Sequence, residues 1–222
     1  MTTQMNRKGK PRKTLSDLAF RNARTIYDWM YRRGAPWEGS TKTDFVELLS
    51  SGRISPETVG VRAIDIGCGI GDYSRLLAEY GFDVSGVDLS PVAIERARSG
   101  TGSEAPSPGF VTADLLDLPE ELNGPFDLLV DIGTLDDFPR SRRQDAANVI
   151  TSLARPGSVL YLWCFYGRDR ELPAVSFHGA SRYLAPGIEP DELGGLFADG
   201  WAIEPIAGGP DQRWASFLMV RR

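Results

Sequence analysis

The segment Ala63-Ile64-Asp65-Ile66-Gly67-Cys68-Gly69-Ile70-Gly71-Asp72 constrains this chain more than any other. An apolar run ends in three glycines spaced two apart, and a helix-period pattern starts directly behind them. A strand that feeds a helix through so tight a turn builds a βα unit, and its next strand returns parallel through a crossover. Glycine lets the backbone turn sharply and pass close to a ligand with no Cβ in the way. The rest of the chain repeats the alternation. Strands are expected at 61–66, 82–87, 110–112, 126–132 and 158–165. Helices are expected at 72–80, behind the Ser90-Pro91 cap, and at 139–154 with its arginines turned to solvent. A helix at 190–198 and strands at 201–206 and 213–220 close the chain. The pattern predicts an α/β fold: a single Rossmann-like, doubly wound, mostly parallel seven-stranded sheet.

Ahead of the sheet, Thr14-Leu15-Ser16-Asp17 reads as a capping box with Asp in place of Glu. It opens a helix with Leu15, Leu18, Ala19, Ile26, Trp29 and Met30 near one face, stopped by Gly34-Ala35-Pro36. A second helix at 41–51 buries Phe45, Leu48 and Leu49. The expected division is a disordered basic tail at 1–13, N-terminal helices at 14–52 and the sheet domain at 53–222.

Charge and rare residues narrow the function. The chain carries a net −5, split into +7 over residues 1–33 and −12 over the remainder. An acidic body argues against nucleic acid as partner. No run of about 18 apolar residues exists, so no membrane span is expected. The basic tail lacks the apolar stretch of a secretory signal. The two cysteines, Cys68 and Cys164, fall in expected core elements and suit a reducing cytoplasm. One histidine, His178, and two distant cysteines cannot build a zinc site or a disulfide framework. No lysine lies beyond Lys42, which excludes a phosphate-binding Gly-Lys-Ser/Thr loop and a Tyr-x-x-x-Lys reductase pair.

Two acids complete the glycine turn. Asp88 ends the second strand, where a carboxylate can accept two ribose hydroxyls. Asp114 ends the third, where an adenine amino group needs an acceptor. A dinucleotide requires G-x-G-x-x-G, but the sixth position here is Asp72 and the third glycine comes one residue early. S-adenosylmethionine has no pyrophosphate, so the turn has only to pass closely beneath it. Asp65 can serve its ammonium, directly or through water.

At these residues the chain resembles the class I S-adenosylmethionine-dependent methyltransferases. Asp65, Gly67, Gly69 and Gly71 look like their first motif, Asp88 like their ribose acid and Asp114 like their adenine-side acid. The resemblance places Leu89, Leu115 and Asp131 beside the same cofactor. Tyr31-Arg32-Arg33-Gly34-Ala35-Pro36-Trp37-Glu38-Gly39 is similar to the N-terminal lid of the small-molecule branch of thiopurine and tellurite-resistance type, with Tyr31 and Trp37 as the carried-over residues. Trp37 also suits a hydrophobic staple between the two helices. The implied reaction is methyl transfer from S-adenosylmethionine to a small-molecule O, N, S or C centre, leaving S-adenosylhomocysteine. A non-methylating binder of the same cofactor and an NAD-type oxidoreductase are the alternatives.

The chain departs from that family after the fourth strand. Many members carry an imidazole pair there, and here the residues read Leu135-Asp136-Asp137-Phe138-Pro139. Two adjacent carboxylates at a strand's C-terminal rim can act as a general base or bind an ammonium; they also suit a plain helix start before Pro139. Asp136, Asp137 and His178 are thus the candidate catalytic groups, with Tyr27 and Tyr166 as further proton acceptors. Phe165, Tyr166, Phe177 and Tyr183 are candidate walls of an aromatic acceptor site. No metal is expected, since Trp163-Cys164-Phe165-Tyr166-Gly167 offers none of the acid and amide ligands of metal-dependent catechol enzymes. Ile132-Gly133-Thr134 does not match the Asn/Asp-Pro-Pro-aromatic loop of DNA methyltransferases.

Overall fold

The computed structural model describes residues 20–100, 107–167, 187–198 and 200–222. The basic tail, the expected cap at 14–17, and Phe177, His178 and Tyr183 lie outside those residues. Five strands run parallel: β1 (Arg62–Ile66), β2 (Asp83–Asp88), β3 (Gly109–Thr112), β4 (Phe126–Ile132) and β5 (Ala154–Phe165). β6 (Trp201–Gly209) and β7 (Trp214–Arg221) form an antiparallel hairpin, and β7 adds antiparallel to β5. The seven strands lie in the order β3-β2-β1-β4-β5-β7-β6.

Each central strand buries both faces, which is why it reads as a continuous apolar run. Ile64, Ile66, Leu129, Leu160 and Leu162 face one core, together with Ala146, Ala147 and Ile150 of α6 (Arg140–Ser152). Ala63, Leu128, Val130 and Tyr161 face the other. There they meet Phe45 and Leu49 of α2 (Thr43–Ser50) and Leu77 of α4 (Asp72–Glu79). The alternation along each strand is the two-residue period of the pleat. α5 (Pro91–Ser99) starts where expected, with the Ser90 hydroxyl accepting from Ala93 N at 3.2 Å.

The chain winds outward from β1 to β2 and β3, then crosses back to β4. The C-terminal ends of β1 and β4 therefore open the crevice at which sheets of this kind bind ligands. α1 (Ala23–Tyr31) packs against α5 across that end, with Met30 and Tyr31 beside Ala93.

Several expectations need correction. Trp29 does not share the buried face of α1; it is 40% exposed, with the Arg33 guanidinium 4.4 Å from its ring centroid. The helix expected at 190–198 is the single turn α7 (Leu193–Leu196), because Gly194 and Gly195 both spend backbone entropy on helix. The short α3 (Pro56–Val59) was not expected; Ser55 and Thr58 close its capping box, Ser55 N donating to Thr58 Oγ1 at 2.9 Å. No helix among the described residues is long and apolar enough to cross a membrane.

Candidate active site

The glycine turn is held from three sides. Gly67 and Cys68 donate their N–H groups to Val87 O at 2.7 and 2.9 Å, which ties the turn to β2. Gly67 has φ +71, and a Cβ there would stand 1.8 Å from Thr134 Oγ1, in the loop after β4. That threonine donates to Ile66 O at 3.0 Å, so the close approach is part of the β1–β4 join. Gly69 has φ +55, and a Cβ there would stand 2.8 Å from the Tyr31 hydroxyl of α1. Both positions require glycine, as close approach and positive φ dictate.

Acids end the neighbouring strands. Asp88 Oδ2 accepts from Gly69 N at 2.9 Å and Oδ1 from Ser90 N at 2.8 Å. Asp65 Oδ2 accepts from the Ser74 hydroxyl of α4 at 2.6 Å. Asp114, half-buried, accepts from Leu116 N at 2.9 Å. Burial pushes the Asp65 carboxyl up to about 7, against the Ser74 hydrogen bond, and Asp88 up to about 6, against its two backbone donors.

The segment after α1 is strapped over this end. Arg96 of α5 donates to both Glu38 oxygens, at 2.7 and 2.8 Å, and to Tyr31 O at 2.6 Å. The guanidinium lowers the Glu38 pKa. The Ser90 hydroxyl donates to Asp28, so the cap of α5 also anchors α1. Tyr31 and Trp37 meet edge to face at 6.0 Å, and Tyr27 joins Trp37 at 6.1 Å. Such pairs add about 0.5–1.5 kcal/mol beyond their buried area. Trp37 is 42% exposed and still walls the site.

The other end is made by the 3-10 turn Leu135–Asp137. Asp131 Oδ1 accepts from Thr134 N at 2.9 Å and Oδ2 from Leu135 N at 3.2 Å; burial pushes its carboxyl up to about 8. Arg143 of α6 is fully buried, contrary to the expected solvent face. Its guanidinium donates to Phe138 O at 2.9 Å and Asp136 O at 3.3 Å, and pairs with Glu192 at 2.7 Å. It thereby clamps the turn from behind. The turn splits the acid pair. Asp136 points to β5, its Oδ2 accepting from Phe165 N at 3.0 Å. Asp137 points into the cleft and accepts from the Tyr27 hydroxyl. Burial raises the Asp137 carboxyl well above the usual carboxylate range, the neighbouring Asp136 charge raises it further, and the Tyr27 bond opposes both.

These parts line one continuous cavity of about 560 Å³. Asp65, Gly67, Gly69, Asp88, Leu89, Asp114 and Leu115 wall one end. Tyr31 and Trp37 cover it, and Asp137 and Tyr27 belong to the other end. Three proposed site residues stand apart. Asp131 and Asp136 lie behind the cavity, because backbone amides hold their carboxylates there; Gly71 packs against Phe110. Tyr166 lies outside too, its hydroxyl donating to Pro190 O at 3.4 Å. His178 is outside the described residues. Among the described residues no group of three or more His, Cys, Asp or Glu side chains could hold a metal. Lys42, Thr134 and Trp163 reach the cavity unannounced by any motif, because the strand and loop ends that carry them meet only in the folded sheet.

Residues 63–157 match the methyltransferase-domain family. The ubiquinone biosynthesis O-methyltransferase of Xanthomonas euvesicatoria pv. vesicatoria is 30% identical over 172 residues, covering 71% of this chain and 70% of that protein. The 2-methyl-6-phytyl-1,4-hydroquinone methyltransferase of Synechocystis sp. is 31% identical over 137 residues, 60% of this chain and 42% of that enzyme. The chain thus spans less than half the length of the cyanobacterial relative, and less again of two plant tocopherol O-methyltransferases. A solved structure concerned with converting a disulfide bond into a thioacetal group during echinomycin biosynthesis superposes with a TM-score of 0.66 at 25% identity, over 90% of this chain and 92% of that one. By its glycine turn, its strand-end acids and these relatives, the chain belongs to the class I S-adenosylmethionine-dependent methyltransferases.

Proposed function

We propose that this protein methylates a phenolic hydroxyl on a small aromatic acceptor, with Asp137 as the proton acceptor and Tyr27 as its hydrogen-bond partner. The observation that carries this reading is the single cavity joining the strand-end acids to the Tyr27–Asp137 pair. The cofactor of the family fits the donor set. Gly67 and Gly69 line the cavity without side chains, and carboxylates stand at the ends of adjacent strands to take hydroxyls and an ammonium. In this reading Asp88 holds the ribose, Asp114 the adenine side and Asp65 the ammonium, while Tyr31 and Trp37 cover them. When bound, S-adenosylmethionine supplies an activated methyl group for in-line displacement.

The chain's own residues supply position and a base. Arg143 and Asp131 fix the turn that carries Asp137. The raised pKa of Asp137 makes its carboxylate more basic than an exposed one, the direction that favours proton acceptance. A carboxylate base suits a hydroxyl acceptor, and the Xanthomonas relative is by name an O-methyltransferase. The Tyr31–Trp37 segment supports a place in the small-molecule branch of thiopurine and tellurite-resistance type. The acidic body supports a non-nucleic-acid acceptor, and the reduced, buried cysteines support a cytoplasmic setting.

The test has two arms. Calorimetry with S-adenosylhomocysteine is expected to show one site per chain. A panel of phenols, anilines and thiols incubated with S-adenosylmethionine is expected to give S-adenosylhomocysteine with phenols first. Absence of cofactor binding sinks the whole reading, and turnover confined to thiols or anilines sinks the assignment to oxygen.

A further inference from the structure

The acceptor end of the cavity contains a cation that methyl transfer does not use. Lys42 lies immediately before α2 and walls the cavity. Its backbone is fixed: Lys42 N donates to the Tyr73 hydroxyl at 2.8 Å, and that hydroxyl donates to Ser40 O at 3.1 Å. Two residues on, Asp44 accepts from the Tyr161 hydroxyl at 2.7 Å and from Ser216, pinning the start of α2 to β5 and β7. The lysine stem therefore leaves from an anchored point.

Its Nζ stands 3.7 Å from the Trp163 ring centroid. An indole face attracts an ammonium but leaves its three N–H donors to other partners. Among the described residues no hydrogen bond or ion pair is made by Nζ. Asp44 and Asp136 act on it from farther away, and burial, the larger influence, lowers its pKa. Trp163 meets Phe165 at 5.4 Å, and both line the same cavity as Phe138. A half-buried ammonium whose donors meet no acceptor among the described residues is costly to keep in such surroundings unless a ligand brings an anion.

We propose that Lys42 is a specificity-determining residue, binding a carboxylate carried by an aromatic acceptor whose ring lies among Trp163, Phe165 and Phe138. The inference rests on the methyl-transfer reading for the word acceptor, and on the cavity alone for the carboxylate. A carboxylate is favoured over a phenolate because it is ionised well below neutrality, whereas a phenol with a pKa of about 10 must first lose its proton.

The experiment uses the full chain saturated with S-adenosylhomocysteine. Calorimetry compares 4-hydroxybenzoate and 2-naphthoate with their amides. The wild type is expected to bind each acid about 10- to 100-fold more tightly than its amide, the worth of a charge-assisted hydrogen bond. Lys42→Met keeps the stem over Trp163 and is expected to erase that preference, leaving the affinity for S-adenosylhomocysteine unchanged. Lys42→Arg is expected to retain part of it. Equal binding of acid and amide by the wild type, or no binding of either, overturns the proposal. So does a Lys42→Met variant that weakens acid, amide and S-adenosylhomocysteine alike, the signature of a purely structural prop. Should the wild type bind no S-adenosylhomocysteine, the methyl-transfer reading falls instead; the acid-over-amide comparison, run without it, still decides the role of Lys42.

Discussion

The two ends of the cavity are built in opposite ways. The floor of the cofactor end, beneath the Tyr31–Trp37 segment, is made of backbone and short-range contacts. Asp65, Gly67, Gly69 and Ser74 lie within one βα unit, and Asp88 reaches Gly69 across a separation of 19 residues. The proposed acceptor end is made of side chains from four distant elements: Tyr27 on α1, Lys42 before α2, Asp137 after β4 and Trp163 on β5. Tyr27 and Asp137 touch across 110 residues. One end is thus a local motif and the other a product of the whole topology. The two ends should accordingly fail separately, except where Thr134 and the Tyr27–Trp37 contact join them.

The largest separable effect is expected at Asp137. Asp137→Asn keeps the shape of the side chain and removes the proposed base. Turnover of a phenol is expected to fall about 10²- to 10⁴-fold, the usual worth of general-base catalysis, with cofactor affinity unchanged. Steady-state rates alongside calorimetry check this; an equal loss in both quantities would break the division into two ends.

Gly67→Ala strikes the junction. The new Cβ must occupy a left-handed conformation and displace Thr134, whose loop carries Asp137. Strain of about 1–2 kcal/mol and overpacking of about 1–3 kcal/mol together predict a destabilisation of about 3 kcal/mol, measured by urea denaturation. Both cofactor affinity and turnover should drop. Loss of only one would show that the glycine turn and the 135–137 turn are not mechanically joined.

The same division explains what the sequence made legible. Strand and helix periods along with the glycine spacing predicted the sheet, because each strand carries its own apolar run and each turn its own residues. The acids at 65, 88 and 114 were readable for the same reason: strand ends can be counted. The direction in which Asp136 and Asp137 point was not readable. It follows from Asp136 reaching Phe165 N across 29 residues and Asp137 reaching the Tyr27 hydroxyl across 110, both long-range tertiary contacts. The arginine itself looked like one solvent charge among several on α6. Lys42 was visible only as a count, since its stacking on Trp163 crosses from the first helical segment to the centre of the sheet.

A smaller effect is expected at Asp88. Asp88→Ala removes a carboxylate that holds Gly69 N and Ser90 N and, as proposed, the ribose. Affinity for S-adenosylhomocysteine is expected to weaken about 10- to 100-fold, from the loss of hydrogen bonds to a charged acceptor. The rate at saturating cofactor should be largely kept, the reverse of Asp137→Asn. A collapse of that rate would mean that the cofactor end also governs the chemistry.

The smallest effect, about tenfold, is a pH dependence of cofactor affinity. Asp65 is raised from 3.8 to about 7 by burial, so in the free protein it is protonated below neutrality. A ligand ammonium pairs with the ionised form. Affinity for S-adenosylhomocysteine should therefore rise about tenfold between about pH 6 and pH 8 and then level off. The sign for stability is opposite. Between about pH 4 and pH 7 the folded state holds a proton that the unfolded chain has released, so the contribution of Asp65 to stability is present at low pH and lost as pH rises through that window. Asp88, at about 6, and Asp131, at about 8, act in the same direction. The ligand-free melting temperature should thus fall from pH 5 to pH 8 (about one proton per group), while the shift produced by S-adenosylhomocysteine grows. Asp65→Asn should remove most of the affinity change and leave the rate profile of Asp137 in place. If Asp65→Asn keeps the full tenfold rise, the ammonium is held elsewhere, and the acid at the end of β1 serves only to receive Ser74.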